Sequence, residues 1–134
     1  MEIVDVEIAP ESPAHVTPLE LLEDFADVVP DWHFLEEDSR LYAAIRGSEA
    51  CVIRSWNSAN AAAVDYAFAA SPTDPLTMRL VVLCPPDAME PVLGTGRSTC
   101  LERFLDDFNR YAEARHAHVH IRPIHSHTGP AVVA

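Results

Sequence analysis

The feature that most constrains the fold is a run of short strand-like segments in the middle of the chain, separated by compact turn signals. Each segment is strand-sized and rich in apolar residues, while Gly, Pro, Asn, Asp and Ser lie between the segments. Strands joined by so few residues must run antiparallel, because a parallel crossover needs about a dozen residues or more. The sequence therefore predicts an antiparallel meander with strands at residues 40–46, 50–56, 62–70 and 77–84.

Two amphipathic helices flank this meander. The segment Thr17-Pro18-Leu19-Glu20 combines an N-cap threonine, a proline at the first helical position and the glutamate of a capping box, and Thr99 and Glu102 repeat the box. Behind each start, apolar residues recur at the spacing of one helix face, which predicts that both helices cover the same face of a sheet. The two stripes are Leu22, Phe25, Ala26 and Val29, and Leu101, Phe104, Leu105, Phe108, Tyr111 and Ala112.

A strand at residues 2–9 and a histidine-rich strand after the second helix complete the order of elements. The predicted fold class is α+β: a single antiparallel sheet, in the order β-α-β-β-β-β-α-β, with two amphipathic helices packed on one face. Residues 1–128 are predicted to form one domain and residues 129–134 a short C-terminal tail. The order resembles that of helix-grip and TATA-binding-protein-like folds, and such a resemblance of element order implies no function.

The charge balance narrows the range of partners. The chain carries 21 Asp and Glu against nine basic residues, for a formal net charge of −12, and every basic residue is arginine. Phosphate backbones and anionic membrane surfaces repel such a chain, so neither nucleic acid nor membrane is an expected partner. The composition is similar to that of proteins from salt-rich cytoplasm, where ions screen the self-repulsion. The start of the chain has no signal-peptide pattern, so the expected location is cytoplasmic.

Five of the seven histidines lie between residues 115 and 127. In a strand, His118 and His120 share one face and are about 6.6 Å apart along the chain, so one divalent metal such as Zn²⁺ could bind both if a neighbouring strand supplied a third ligand. The opposite face, Ala117, Val119 and Ile121, is the natural core face. The alternatives are a solvated face of an edge strand and a pH-responsive or partner-binding surface.

Two further groups of residues are candidates for ligand binding. Gly94, Gly96 and Arg97 precede the second helix, where glycine-rich backbone and a helix N-terminus favour anions, although the same segment also suits a plain connection. Arg54 and Trp56 share a strand face, and together with Tyr66 they are residue types that often line pockets and interfaces. The competing interpretation is ordinary core aromatics with arginines at the strand ends.

The cysteines add little chemistry. Cys51, Cys84 and Cys100 are odd in number and widely spaced, which argues against a disulfide framework and against a cysteine-based zinc site. Cys51 and Cys84 fall in predicted strands and are expected to be buried thiols.

No catalytic motif is visible, so enzymatic activity is left open and not favoured. The sequence points first to a non-enzymatic module that binds a small-molecule ligand or a protein partner, with a homodimer as one arrangement of it. The alternatives are a metal-binding protein or metalloenzyme that uses the His-x-His-x-His strand, and an acidic chaperone-like module. Apart from such a metal, no cofactor is expected.

Overall fold

A computed structural model describes residues 2–10, 17–57, 62–71, 77–83, 98–114 and 119–126 of the chain. Within these residues the order of elements is β-α-β-α-β-β-β-α-β, and every strand pairing is antiparallel. The predicted α+β class with a single antiparallel sheet is confirmed. The elements are β1 (Glu2–Pro10), α1 (Pro18–Val28), β2 (Trp32–Phe34), α2 (Glu36–Arg46), β3 (Ala50–Asn57), β4 (Ala62–Ala70), β5 (Thr77–Leu83), α3 (Thr99–Ala114) and β6 (Val119–Ser126).

The order of strands across the sheet is β2-β3-β4-β5-β1-β6. The strands β3, β4 and β5 are consecutive neighbours, as short connections require. The first strand, β1, then pairs with both β5 and β6. The apolar strand β5 therefore lies inside the sheet, as its sequence predicts, and β2 and β6 form the two edges.

Strand alternation separates the side chains of the sheet into two sets. One set is buried under α1 and α3, and we call its side of the sheet the closed face. This face holds Val4, Val6, Cys51, Ile53, Val64, Tyr66, Phe68, Met78, Leu80 and Val82, all part of one hydrophobic core. Both predicted helices contribute to that core, so their placement on one face of the sheet is confirmed.

Aromatic rings fill the space between the closed face and the helices. Phe104 of α3 is the hub, because its ring contacts those of Phe25, Trp32, Tyr66, Phe68 and Phe108 at centroid distances of 5.2–5.8 Å. Tilted and edge-on contacts of this kind add stabilisation beyond the buried area. The polar edge of the cluster is satisfied as well, since the Trp32 Nε1 donates a 2.9 Å hydrogen bond to Asp107 Oδ2.

The helix starts agree with the sequence in one case and differ in the other. The capping box of α1 is present, with Thr17 Oγ1 accepting from Glu20 N and the Glu20 carboxylate accepting from Thr17 N. For α3, the capping side chain is Ser98, whose Oγ accepts from Leu101 N at 3.2 Å. The prediction that Thr99 is the N-cap is therefore wrong by one residue: Thr99 is the first residue of the helix, and the preceding serine caps as well as threonine does.

The prediction of a strand at residues 40–46 is wrong, because this segment belongs to helix α2. Asp38, Leu41, Tyr42 and Ile45 recur at helical spacing, and three carboxylates in the first turn and Arg46 in the last complement the helix dipole. Gly47, interpreted from the sequence as a strand turn, ends the helix in the left-handed region at φ 68°. The helix start was hidden because Leu35 occupies the N-cap without a side-chain hydrogen bond.

Helix α2 is attached to β3 through a buried serine. Ser39 Oγ accepts a 2.7 Å hydrogen bond from Val52 N and donates one of 2.6 Å to Leu35 O. Leu35 N in turn donates to Val52 O at 2.9 Å. These bonds hold α2 against Val52, a residue that alternates with the core residues Cys51 and Ile53. Helix α2 therefore lies on the opposite side of the sheet from α1 and α3.

Candidate functional site on the open face of the sheet

The side of the sheet that carries α2 is called here the open face. Its side chains alternate with those of the core, so they include Val52 and Arg54 of β3, Asp65, Ala67 and Ala69 of β4, and Arg79, Val81 and Leu83 of β5. Helix α2 packs mainly against β3 and also touches β4. The small residues Ala67 and Ala69 let the helix approach closely, and a groove lies between the helix and the part of the sheet formed by β4 and β5.

This groove is apolar and has a volume of about 430 Å³. Its floor is formed by Val52, Ala67 and Val81 of three adjacent strands, which are direct neighbours across the sheet. Leu41, Tyr42 and Ile45 of α2 and Leu83 of β5 form its sides, and Asp38 and Asp65 complete the lining. Leu41, Ile45 and Leu83 are 62%, 70% and 46% exposed, so apolar carbon at the groove faces solvent.

An ion pair marks the end of the groove near the start of α2. Arg54 donates from Nε to Asp65 Oδ1 at 2.7 Å and from a terminal nitrogen to Oδ2 at 3.1 Å. The two residues are direct partners in the β3–β4 register, which explains the two-pronged geometry. Hydrogen bonding and attraction to Asp65 raise the pKa of Arg54, with a smaller contribution from Asp38.

A smaller polar pocket of about 220 Å³ lies at the other end, where α2 finishes. It is lined by Arg46 of α2 and by Asp5, Ala69, Ala70, Ser71, Thr77 and Arg79. Arg79 donates to both carboxylate oxygens of Asp5, at 3.0 and 3.5 Å, and this contact raises the pKa of Arg79. In the part of the chain that the structure describes, Arg46 forms no ion pair.

The structure separates the residues that the sequence grouped together as a ligand site. Arg54 lies on the open face, as does Trp56, which is 45% exposed, but Trp56 does not line the groove. Tyr66 is on the closed face, 1% exposed, and its hydroxyl donates to Cys100 O at 2.8 Å. Tyr66 therefore cannot share a pocket with the other two. The other candidates from the sequence, Gly94, Gly96 and Arg97, lie outside the described residues.

The histidine site stays a prediction. His118 lies outside the described residues, and His120 belongs to the edge strand β6, where the backbone register pairs it with Ala9 of β1. The same register pairs His125 with Asp5. Among the residues whose side chains are described, no three His, Cys, Asp or Glu are grouped as a metal would require.

The cysteines differ from one another. Cys51 is a free thiol that is fully buried in the core, and its burial, together with the nearby Glu23, raises its pKa to about 12. A thiol in this state is a poor nucleophile at neutral pH. Cys100 is disulfide-bonded, which corrects the expectation drawn from the cysteine spacing. Spacing along the chain failed here because it does not report distance in the folded protein.

Several residues of the groove were not found from the sequence. Leu41 and Ile45 fall in the segment predicted as a strand, and Asp65 and Ala67 are not among the candidate ligand-binding residues. The available signal was the helical spacing of Asp38, Leu41, Tyr42 and Ile45, which ends at a glycine. If this segment is assigned to a helix, its apolar stripe predicts a second apolar surface on which the helix packs.

In comparisons with known proteins, no family model, no curated protein and no solved structure matches this chain. Of the helices that the structure describes, none is long and apolar enough to cross a membrane. The open-face groove is therefore interpreted from its own residues.

Proposed function

We propose that this protein is a non-enzymatic binding module that takes an apolar ligand in the open-face groove. The observation that carries the proposal is a concave, aliphatic floor of Val52, Ala67 and Val81 with solvent-facing Leu41 and Ile45 beside it. At about 430 Å³ the groove falls within the range of roughly 300–1,000 Å³ that small-molecule sites occupy.

The exposed apolar side chains are not needed to complete the core. The core cluster lies on the closed face and includes neither Leu41 nor Ile45 nor Leu83. Removing apolar carbon from water is favourable by about 25 cal/mol per Å². Binding of an apolar ligand that covers these three side chains would be favoured by this free energy, because the side chains are exposed to water in the unliganded protein.

A protein partner is the competing occupant, and a second copy of the chain is its simplest form. Two copies would each bring a net charge of −12, and like charges oppose association unless salt screens them. The acidic start of α2, with Glu36, Glu37 and Asp38, lies beside the groove and adds to this repulsion. A small ligand carries far less charge than a second copy and experiences much less of that repulsion, so we favour a small ligand over the homodimer.

The test uses a neutral hydrophobic dye, Nile red, which senses apolar sites without a charge preference. We expect saturable dye fluorescence with wild-type protein. Val81→Phe adds bulk to the groove floor and should weaken dye binding at least fivefold. Val28→Phe is the matched control, because it makes the same change at a residue of α1 that is 43% exposed and outside the groove.

Three outcomes would contradict the proposal: no saturable dye binding, equal weakening by the two substitutions, or unchanged binding in Val81→Phe. Light scattering on the same samples tests the competing occupant. A dimer that Val81→Phe dissociates would assign the groove to a second copy and overturn the small-ligand interpretation.

A further inference from the structure

The polar pocket adjoins the end of the apolar groove, and the same three elements, α2, β4 and β5, contribute to the lining of both. Alternate residues on a strand share one face, so Ala69 and Arg79 of the pocket are the next open-face residues after Ala67 and Val81 of the groove. On α2, Arg46 directly follows Ile45. A single elongated molecule could therefore occupy both.

The described residues of the pocket carry a charge opposite in sign to that of the whole chain. Among them, two arginines, Arg46 and Arg79, line the pocket with one carboxylate, Asp5, whereas the net charge of the chain is −12. Arg79 is already held by Asp5 at 3.0 Å. Arg46 is exposed and, among the described residues, has no acidic partner, so its guanidinium is available to an incoming anion.

We propose that the ligand of the groove is an alkyl carboxylate, with its chain on the apolar floor and its carboxylate at Arg46 and Arg79. This inference rests on the proposed function and names the class of its ligand. Guanidinium groups match carboxylates in shape and can donate two parallel hydrogen bonds to one. The hydroxyl-bearing residues Ser71 and Thr77 line the same pocket and add polar surface around the head group.

The length of the groove indicates a chain of medium size. The groove residues of α2 run from Asp38 to Ile45, which is about 10 Å at a rise of about 1.5 Å per residue. An acyl chain of roughly ten carbons fits this span in an extended form, and each methylene removed from water favours binding.

The experiment compares three probes with the same ten-carbon tail: decanoate, 1-decanol and decylammonium, each below its solubility or micelle limit. Binding is measured by titration calorimetry at low salt on the full chain. We expect decanoate to bind at least tenfold more tightly than decylammonium and about fivefold more tightly than the alcohol. The preference should shrink as salt is added, because the pocket is open to solvent.

Two substitutions locate the head group. Arg46→Met should weaken decanoate binding about fivefold and leave decanol binding unchanged. Arg40→Met is the matched control, since Arg40 is an exposed arginine on the same helix that pairs with Glu36 and does not line the pocket. Asp5→Asn removes the competing carboxylate at Arg79 and should strengthen decanoate binding several-fold while decanol binding stays unchanged, whereas misfolding would change the binding of both.

The outcomes distinguish this inference from the proposed function. Equal binding of decanoate and decanol, with Arg46→Met without effect, would overturn the carboxylate assignment and leave the apolar groove standing. Tighter binding of decylammonium would also overturn it, in favour of a cationic ligand at Asp38 and Asp65. If none of the three probes binds, both the ligand class and the proposed function fail.

Discussion

The two faces of the sheet carry apolar side chains in the same alternating pattern, yet they are covered very differently. On the closed face, two helices bury Phe68, Leu80 and Val82 completely. On the open face, α2 covers β3 while Leu83 of β5 stays 46% exposed. Alternation thus determines which residues share a face, and the number and position of the helices determine whether that face becomes core or surface.

The polar residues of the two faces differ in the same way. On the closed face, polar groups at the margin of the core form hydrogen bonds, such as those from Trp32 Nε1 to Asp107 and from the Tyr66 hydroxyl to Cys100 O. On the open face, the pairs Arg54–Asp65 and Arg79–Asp5 lie at opposite ends of the groove and keep contact with solvent. The closed face therefore forms the core, and the open face carries the groove for which we propose a ligand.

The largest difference in unfolding free energy between the two faces is expected when the Phe104 side chain is truncated. Phe104→Ala removes the ring that contacts five other aromatic rings and should lower the free energy of unfolding by about 3–5 kcal/mol. The open-face counterpart is Leu41→Ala, at a residue that is 62% exposed. There the change should stay within about 0.5 kcal/mol.

Urea unfolding followed by circular dichroism measures both values, with the slope of the transition as a check that the unfolded states are comparable. A loss at Leu41 that approaches the loss at Phe104 would mean that α2 is part of the core. The two-face comparison would then be wrong.

An intermediate effect is expected where α2 joins the sheet. Ser39→Ala removes the acceptor of the 2.7 Å bond from Val52 N, which is buried, and should cost about 1–3 kcal/mol in unfolding free energy. Ser48→Ala, near the other end of α2, is the control because Ser48 is only partly buried. Hydrogen exchange of α2 amides should speed up in Ser39→Ala while that of α3 amides changes less. Equal acceleration in both helices would mean that α2 does not open separately from the core.

Most of the closed face could be predicted from the sequence. The stripe from Leu101 to Ala112 and the capping box at Thr17 follow from local rules, and both are found in the structure. Strand alternation in residues 62–70 predicts that Val64 and Phe68 share one face, and both lie in the core. These predictions succeeded because each depends on neighbours a few residues apart, where chain geometry leaves few alternatives.

The open face could not be predicted in the same way. Its groove depends on α2 lying across strands that follow it in the chain, and the helix start at Leu35 carries no side-chain cap to announce it. Pairing Tyr66 with Arg54 in one site failed for a related reason. The register sets Tyr66 opposite Ile53 and Asp65 opposite Arg54, and register is a property of two strands together.

The smallest effect is expected at the ion pair that ends the groove. A double-mutant cycle with Arg54→Met and Asp65→Asn should give a coupling of about 0.2–1 kcal/mol, because the two side chains are 41% and 25% exposed and water screens their attraction. Added salt should reduce it further. The pair Arg79–Asp5 has similar exposure, 44% and 19%, and serves as the matched cycle. A coupling above about 2 kcal/mol in either cycle would mean that the ion pair is shielded from water and stabilises the fold. Weak coupling in both would mean that these charges contribute little to the stability of the fold, as expected for ion pairs that stay open to solvent.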